Sequence, residues 1–205
     1  MEVMVGLLLL AMMSVMSWRG LDGLLRSQTQ LRERGQALAS LQTALAQWSL
    51  DLDQAADSPY LNAFTWDGRQ LRIVRRAVSE EALLVVSWDL RPAATPGDAA
   101  QWRRWQSAAL HDRAALLQAW NEAPARLDDS AAAVTLVPLQ GWELLYHQGA
   151  GWVPAPALPA GPGAQAVLVE PPAGVRLRLQ LPPAAGTGGL LQLDWAKPSQ
   201  NRGRS

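Results

Sequence analysis

The sequence predicts an α+β protein, with one long N-terminal helix followed by antiparallel strands and a short second helix among them. Three observations predict it. Val3 to Trp18 is a run of sixteen residues without a formal charge, bounded by Glu2 and Arg19. From Leu21 the apolar residues recur at 24, 25, 31, 38, 41, 45, 48 and 52, spacings that keep them on one face of a helix. Beyond Pro59 the pattern changes to short apolar or alternating runs separated by Gly, Pro and Asp, as strands and turns require.

The uncharged run and the leucine face read as one continuous helix of about 55 residues, on the order of 80 Å long at 1.5 Å per residue. Residues 1–18 form its membrane half and 19–56 its second half. Sixteen residues fall short of the roughly 20 that a spanning helix needs, so further apolar sequence upstream or support from partner proteins is expected. A carboxylate in a membrane segment costs about 2.5 to 3.5 kcal/mol at the bilayer centre and less towards the interface, so Glu2 requires a partner such as an amine. Trp18 beside Arg19 reads as an interfacial anchor. Gly6 is small enough to let a second helix approach closely. The run does not read as a cleaved signal peptide, because its start is acidic and Ser14 to Gly20 supplies no Ala-x-Ala-like site. Gly20, Gly23 and Gly35 each weaken the second half by up to about 1 kcal/mol relative to Ala, so packing has to hold it. Ser58-Pro59 ends the helix.

Residues 57–196 form the body. Asn62–Trp66 and Gln70–Arg76 flank Asp67-Gly68, a hairpin dipeptide. Ala82–Leu90 is a near-continuous apolar strand, buried on both faces or lying under the helix. Arg91–Ala99 is a Pro/Gly loop. Gln101–Leu110 is a further strand, with Trp102 and Arg104 on one face and Arg103 and Trp105 on the other. Asp112 is the N-cap of a short helix reaching about Ala123, with Leu116, Leu117 and Trp120 on its apolar side and Pro124 just beyond. A second sheet takes Ala133–Leu139, Trp142–His147 and Trp152-Val153, followed by a flexible Pro/Ala/Gly loop over Pro154–Gly163. Val175–Leu181 alternates with period two and pairs with Leu190–Trp195 across a Gly-rich turn. Residues 197–205 are a polar tail expected to be disordered. The apolar stripe of the long helix is expected to lie on one sheet face.

Glu2-Val3-Met4-Val5-Gly6-Leu7-Leu8 resembles the segment that follows the cleavage site of type IV pilin-like proteins. Within that superfamily, Trp18-Arg19-Gly20-Leu21-Asp22-Gly23-Leu24-Leu25, Leu41-Gln42-Thr43-Ala44-Leu45 and Asp51-Leu52-Asp53-Gln54-Ala55 are similar to the J-type minor pseudopilins of the type II secretion system. Leu71–Arg76, Leu116–Trp120, Gly151-Trp152 and Gly174–Leu177 fall in that family's order, so the likeness spans most of the chain. The resemblance implies a pilin-like fold and a subunit at the tip of a short periplasmic filament that helps to start its assembly. Its partners would be the I-type and K-type minor subunits and the major pseudopilin. It also implies an inner-membrane anchor with the body in the periplasm, and a basic leader removed by the prepilin peptidase ahead of the sequence as written. Glu2 would then neutralise the N-terminal ammonium of a neighbouring subunit. Arg19, Arg26, Arg32 and Arg34 all follow the apolar run, and taken alone they would hold the body in the cytoplasm; the implied leader reverses that orientation. The alternatives are a minor pilin of a type IV pilus or competence system, and an unrelated periplasmic domain on a single-pass anchor.

Composition narrows the chemistry. The 205 residues accommodate one helical stalk and one domain of about 150 residues. Eighteen acidic and eighteen basic residues cancel, so no basic stripe points to nucleic acid. No cysteine is present, which excludes disulfides, thiol catalysis and zinc-thiolate sites. The two histidines, His111 and His147, lack ligand spacing. Gly186–Gly189 lacks the Lys-Ser/Thr of a phosphate loop. Asp128-Asp129 and Glu80-Glu81 fall short of the 6 to 8 oxygens that calcium takes. No nucleophile, base and orienting group assemble, so neither catalysis nor a cofactor is expected. Of ten tryptophans, Trp48, Trp88 and Trp120 are expected in the core. Trp102 and Trp105 fit core or a partner interface, with core favoured.

Overall fold

The computed structural model describes residues 2–78, 81–93, 95, 97–158, 170–183 and 188–198, without the side chains of Glu2, Leu8 and Leu9. It is α+β. Helix α1 spans Glu2–Asp53, 52 residues unbroken through Trp18–Gly23. Strands β1 (Phe64–Trp66), β2 (Gln70–Arg76), β3 (Leu83–Arg91) and β4 (Ala100–Gln106) follow, then helix α2 (Arg113–Asp128). Strands β5 (Val134–Leu139), β6 (Gly141–Gln148), β7 (Gly151–Pro154), β8 (Gly174–Leu181) and β9 (Gly189–Ala196) complete the chain. Two compact units divide it, residues 1–39 and 40–205. Residues 184–187 of the Gly-rich turn, half of the 154–163 loop and the tail beyond Pro198 lie outside the described residues.

All strand pairs are antiparallel. One sheet has the order β1-β2-β3-β4-β5 and the other β7-β6-β8-β9. The Asp67-Gly68 hairpin forms as expected: Gly68 sits at φ +94°, and Asp67 Oδ1 accepts from the amides of Arg69 at 2.9 Å and Gln70 at 2.7 Å. β8 and β9 pair over their whole length, Val175 opposite Trp195.

Several features differ from the expectation, among them β4, which ends at Gln106 rather than Leu110. α1 stops at Asp53, not near Ala56, because residues 54–56 leave the helix to pair with β2: Arg76 N donates to Gln54 O and Ala56 N to Val74 O, both at 2.9 Å. Ala133–Leu139 was expected in the second sheet, yet β5 pairs with β4 in the first. A single residue, Gln140, separates β5 from β6 and turns the chain between sheets, its amide donating to Gln180 O at 2.8 Å. α2 runs past Pro124 to Asp128. Pro124 has no N–H for the carbonyl of Trp120, four residues back. Arg72 Nη1 from β2 donates to that carbonyl at 3.1 Å instead, and Arg103 Nη1 closes on Leu127 O at the helix end. Asp112 caps α2 as expected, accepting from Ala115 N at 2.8 Å.

The first sheet is buried on both faces, which explains the continuous apolar run of β3. One face carries Leu71, Ile73, Val86, Trp88 and Trp102 into a core shared with Ala44, Trp48 and Leu52 of α1 and with Leu144, Tyr146, Leu177 and Leu179 of the second sheet. The other carries Val74, Val85 and Trp105 against Leu116, Trp120, Ala123 and Leu127 of α2. Trp102 and Trp105 therefore sit on opposite faces, as their alternation with Arg103 and Arg104 requires, and both are buried. Trp48, Trp88 and Trp102 meet with ring centroids 4.5 to 5.7 Å apart, and Trp142 packs on Trp48 at 6.2 Å and on Trp66 at 5.0 Å. Such contacts add about 0.5 to 1.5 kcal/mol per pair beyond burial.

A charge sits at the centre of this apolar packing. Asp51, in the last turn of α1, is fully buried. Arg104 grips it with two bonds, Nε to Oδ2 at 2.8 Å and Nη2 to Oδ1 at 2.9 Å. Trp88 Nε1 donates to Oδ2 at 2.9 Å, Gln47 Nε2 to Oδ1 at 3.0 Å, and Arg75 Nη1 lies 3.1 Å from Oδ1. Burial holds the Arg75 guanidinium below its ordinary pKa; Asp51 opposes that shift and Arg104 adds to it. Removing one member of a buried, hydrogen-bonded ion set leaves the others uncompensated, at about 3 to 5 kcal/mol. Asp51→Asn is therefore expected to lower the unfolding free energy of the body by about that amount in urea titrations of the full chain in detergent.

Tyr146 is the converse case. Its hydroxyl is buried without a hydrogen-bond partner among the described residues, and burial pushes its pKa well above the ordinary value. A folded pKa above the unfolded one means full stability below the ordinary tyrosine pKa of about 10, lost as pH rises beyond it. Tyr146→Phe is expected to raise stability at pH 7 by about 1 kcal/mol and to remove that alkaline loss, both measured by thermal unfolding between pH 7 and 11.

Candidate assembly and membrane surface

α1 presents its apolar residues in two ways. Residues 1–39 contain Val3, Met4, Val5, Leu7, Leu10, Met12, Met13, Val15 and Met16, all exposed. By length and composition this helix is able to cross a membrane once. Trp18, 74% exposed, and Arg19, also exposed, follow at the end of the uncharged run. Glu2 opens the helix, and its side chain lies outside the described residues. A Cβ placed on Gly6, Gly20, Gly23 or Gly35 meets no atom within 4 Å, so no contact within the chain requires glycine at these positions.

The leucine face has a heptad component: Leu24, Leu31, Leu38, Leu45 and Leu52 recur every seven residues. Leu24, Leu31 and Leu38 are 63%, 62% and 45% exposed, whereas Leu45 packs on the core and Leu52 is inside it. The change falls where the second unit begins, at Ser40. An ion pair on the first half, Arg26 Nη2 to Asp22 Oδ2 at 2.7 Å, is exposed and contributes little, about 0.3 to 0.5 kcal/mol.

The four residues expected at the membrane and assembly site, Glu2, Gly6, Trp18 and Arg19, share α1, and among the described residues nothing further brings them together. The feature that residue-by-residue reading missed is the clamp of Asp51, Arg75, Arg104 and Trp88. Its signal was an acid one turn from Trp48 and next to Leu52 on the apolar face, and an arginine alternating with tryptophan on a buried strand.

Other candidates are accounted for by local structure. His147 stacks edge-on against Trp152 with centroids 5.2 Å apart, and His111 sits in the loop before α2. Asp129 caps the end of α2 and accepts from Ala131 N at 2.9 Å, while Asp128 lies 3.7 Å from Arg103 Nη2. Of Glu80-Glu81, Glu80 lies outside the described residues. Among the described residues no group of three or more acidic or histidine side chains is placed to hold a metal ion. No family model matches this chain, and no curated protein matches it.

The two halves of the leucine face should answer differently to truncation. Leu52→Ala removes core contacts and is expected to cost about 2 to 5 kcal/mol. Leu31→Ala is expected to stay within about 0.5 kcal/mol. Urea midpoints of the two variants of the full chain, read by tryptophan fluorescence, compare them directly.

Proposed function

We propose that this chain is a membrane-tethered assembly subunit of the pilin-like class, a J-type minor pseudopilin of a type II secretion system acting at the filament tip. One observation carries the reading: a single unbroken helix has one face buried by its own body from about residue 41 to 52, and the described apolar residues before that are exposed. Free apolar area of this kind needs lipid or other helices to cover it. The Asp51 clamp fits such a role, because a subunit that carries load through one helix needs that helix fixed to its body by more than non-directional contacts.

In this reading the first half of α1 sits in the inner membrane and then in a bundle of helices from I-type, K-type and major subunits, with the body in the periplasm. Glu2 neutralises the terminal ammonium of a neighbour; left unpaired there it would cost several kcal/mol, so the pair sets register as well as affinity. Trp18 and Arg19 hold the helix at the membrane surface. Gly6 admits close helix approach. The body needs no catalytic group for this work.

Glu2→Ala in the processed full-length subunit is expected to abolish its incorporation and to reduce secretion. Normal secretion by that variant removes the role assigned to Glu2. Co-purification of the full chain with I-type and K-type subunits is the second expected outcome, and a lone monomer would favour an unrelated anchored domain.

A further inference from the structure

Among the described residues the two sheets have four edges, and three of them carry devices that prevent further pairing. β1 is three residues long and its Trp66 carbonyl is already taken by Leu158 N at 2.7 Å. β5 contains Pro138 and pairs with β4 across a register shift at Trp102/Arg103. β7 is four residues long and ends in Pro154. β9 has none of these. It is eight residues long, Gly-Leu-Leu-Gln-Leu-Asp-Trp-Ala, regular against β8 throughout, with no proline, lysine or bulge. Its single charge, Asp194, is held by Arg176 at 2.7 and 2.6 Å. A long, flat, apolar edge is a template for another strand.

The direction of the free groups follows from the ladder. Lys197 N donates to Ala173 O at 2.9 Å, so hydrogen-bonded pairs with β8 fall at 197, 195, 193, 191 and 189. The N–H and C=O groups of Leu190, Gln192 and Asp194 therefore point away from β8, and among the described residues no backbone group meets them. Leu191 and Leu193 are half-buried at the margin of the core, and Leu190 is 66% exposed.

We propose that β9 pairs antiparallel with β9 of a second copy of this chain, about a two-fold axis at Gln192. That register overlaps residues 189–195 and sets Gln192 opposite Gln192, a pair in which both outward N–H groups find outward carbonyls. It sets Leu191 opposite Leu193 twice on the core side, so each copy completes the cover over the other's leucines. On the other face Asp194 lies opposite Leu190, which keeps the two carboxylates apart; a register centred on Asp194 would bring them together. The strand is thus complementary to itself in hydrogen bonding, apolar pattern and charge. The inference concerns the body alone and stands or falls independently of the membrane role.

The absence of cysteine makes the register directly testable. Residues paired in this way have Cα atoms about 5.5 Å apart, within disulfide reach. Under mild oxidation of the full chain in detergent, Gln192→Cys is expected to form a covalent dimer alone. Leu190→Cys and Asp194→Cys are each expected to stay monomeric alone and to cross-link when mixed. Gln192→Pro removes an outward N–H and leaves the β8 ladder intact, so it is expected to keep the melting temperature and to lose cross-linking through a cysteine introduced at Leu190 mixed with one at Asp194. Cross-linking of Leu190→Cys alone as fast as Gln192→Cys, or none at 192 in a chain that melts normally, overturns the proposal.

Discussion

The body is organised around a buried carboxylate. Burial of an isolated charge is so unfavourable that Asp51 is tolerable only where donors and counter-charges converge on it: Gln47 of its own helix, Trp88 on β3 and Arg104 on β4 donate to it, and the Arg75 guanidinium on β2 lies 3.1 Å away. Hydrophobic contact alone would let a helix slide or rotate on a sheet by a fraction of a turn at small cost. A planar two-bond grip by Arg104 permits one orientation. The tryptophans around it then have fixed places: Trp88 gives its N–H to the carboxylate, while the indole N–H groups of Trp48 and Trp102 have no acceptor among the described residues. The arrangement trades some polar satisfaction for a unique docking of α1.

That constraint explains why one helix has two characters. Up to residue 38 its described large apolar side chains are exposed, and from 41 Leu41, Ala44, Leu45, Trp48 and Leu52 belong to a core closed over by two sheets, with Leu50 on the open side. Nothing in the leucine pattern distinguishes the halves, since Leu31 and Leu52 occupy equivalent positions in the repeat. The difference comes from what is placed opposite them, and Asp51 marks the half that the body claims.

Much of the fold was legible because its signals are local. Asp67-Gly68 specifies its turn through a positive φ and an aspartate that caps its own loop, and Val175–Leu181 declares a strand by alternation. The facing of Trp102 and Arg104 against Arg103 and Trp105 needed only the pleat. What escaped depended on distant partners. Ala133–Leu139 carries no mark of which sheet it will join, and the corner at Gln140 is one residue without Gly or Pro. α2 runs past Pro124 with the carbonyl that proline orphans taken up by a distant side chain, a partner that local pattern does not reveal. The membrane and assembly residues rest on sequence pattern, since the groups they are expected to meet belong to other molecules.

The substitution of a side chain for a missing backbone donor couples α2 to a strand made much earlier. The carbonyl of Trp120 is completed by a guanidinium 48 residues upstream. Until β2 has taken its place, α2 contains a defect at its middle; afterwards it does not. A helix completed from outside itself is thereby fastened to the sheet at its weakest peptide, and it cannot swing away from β2 without reopening that site.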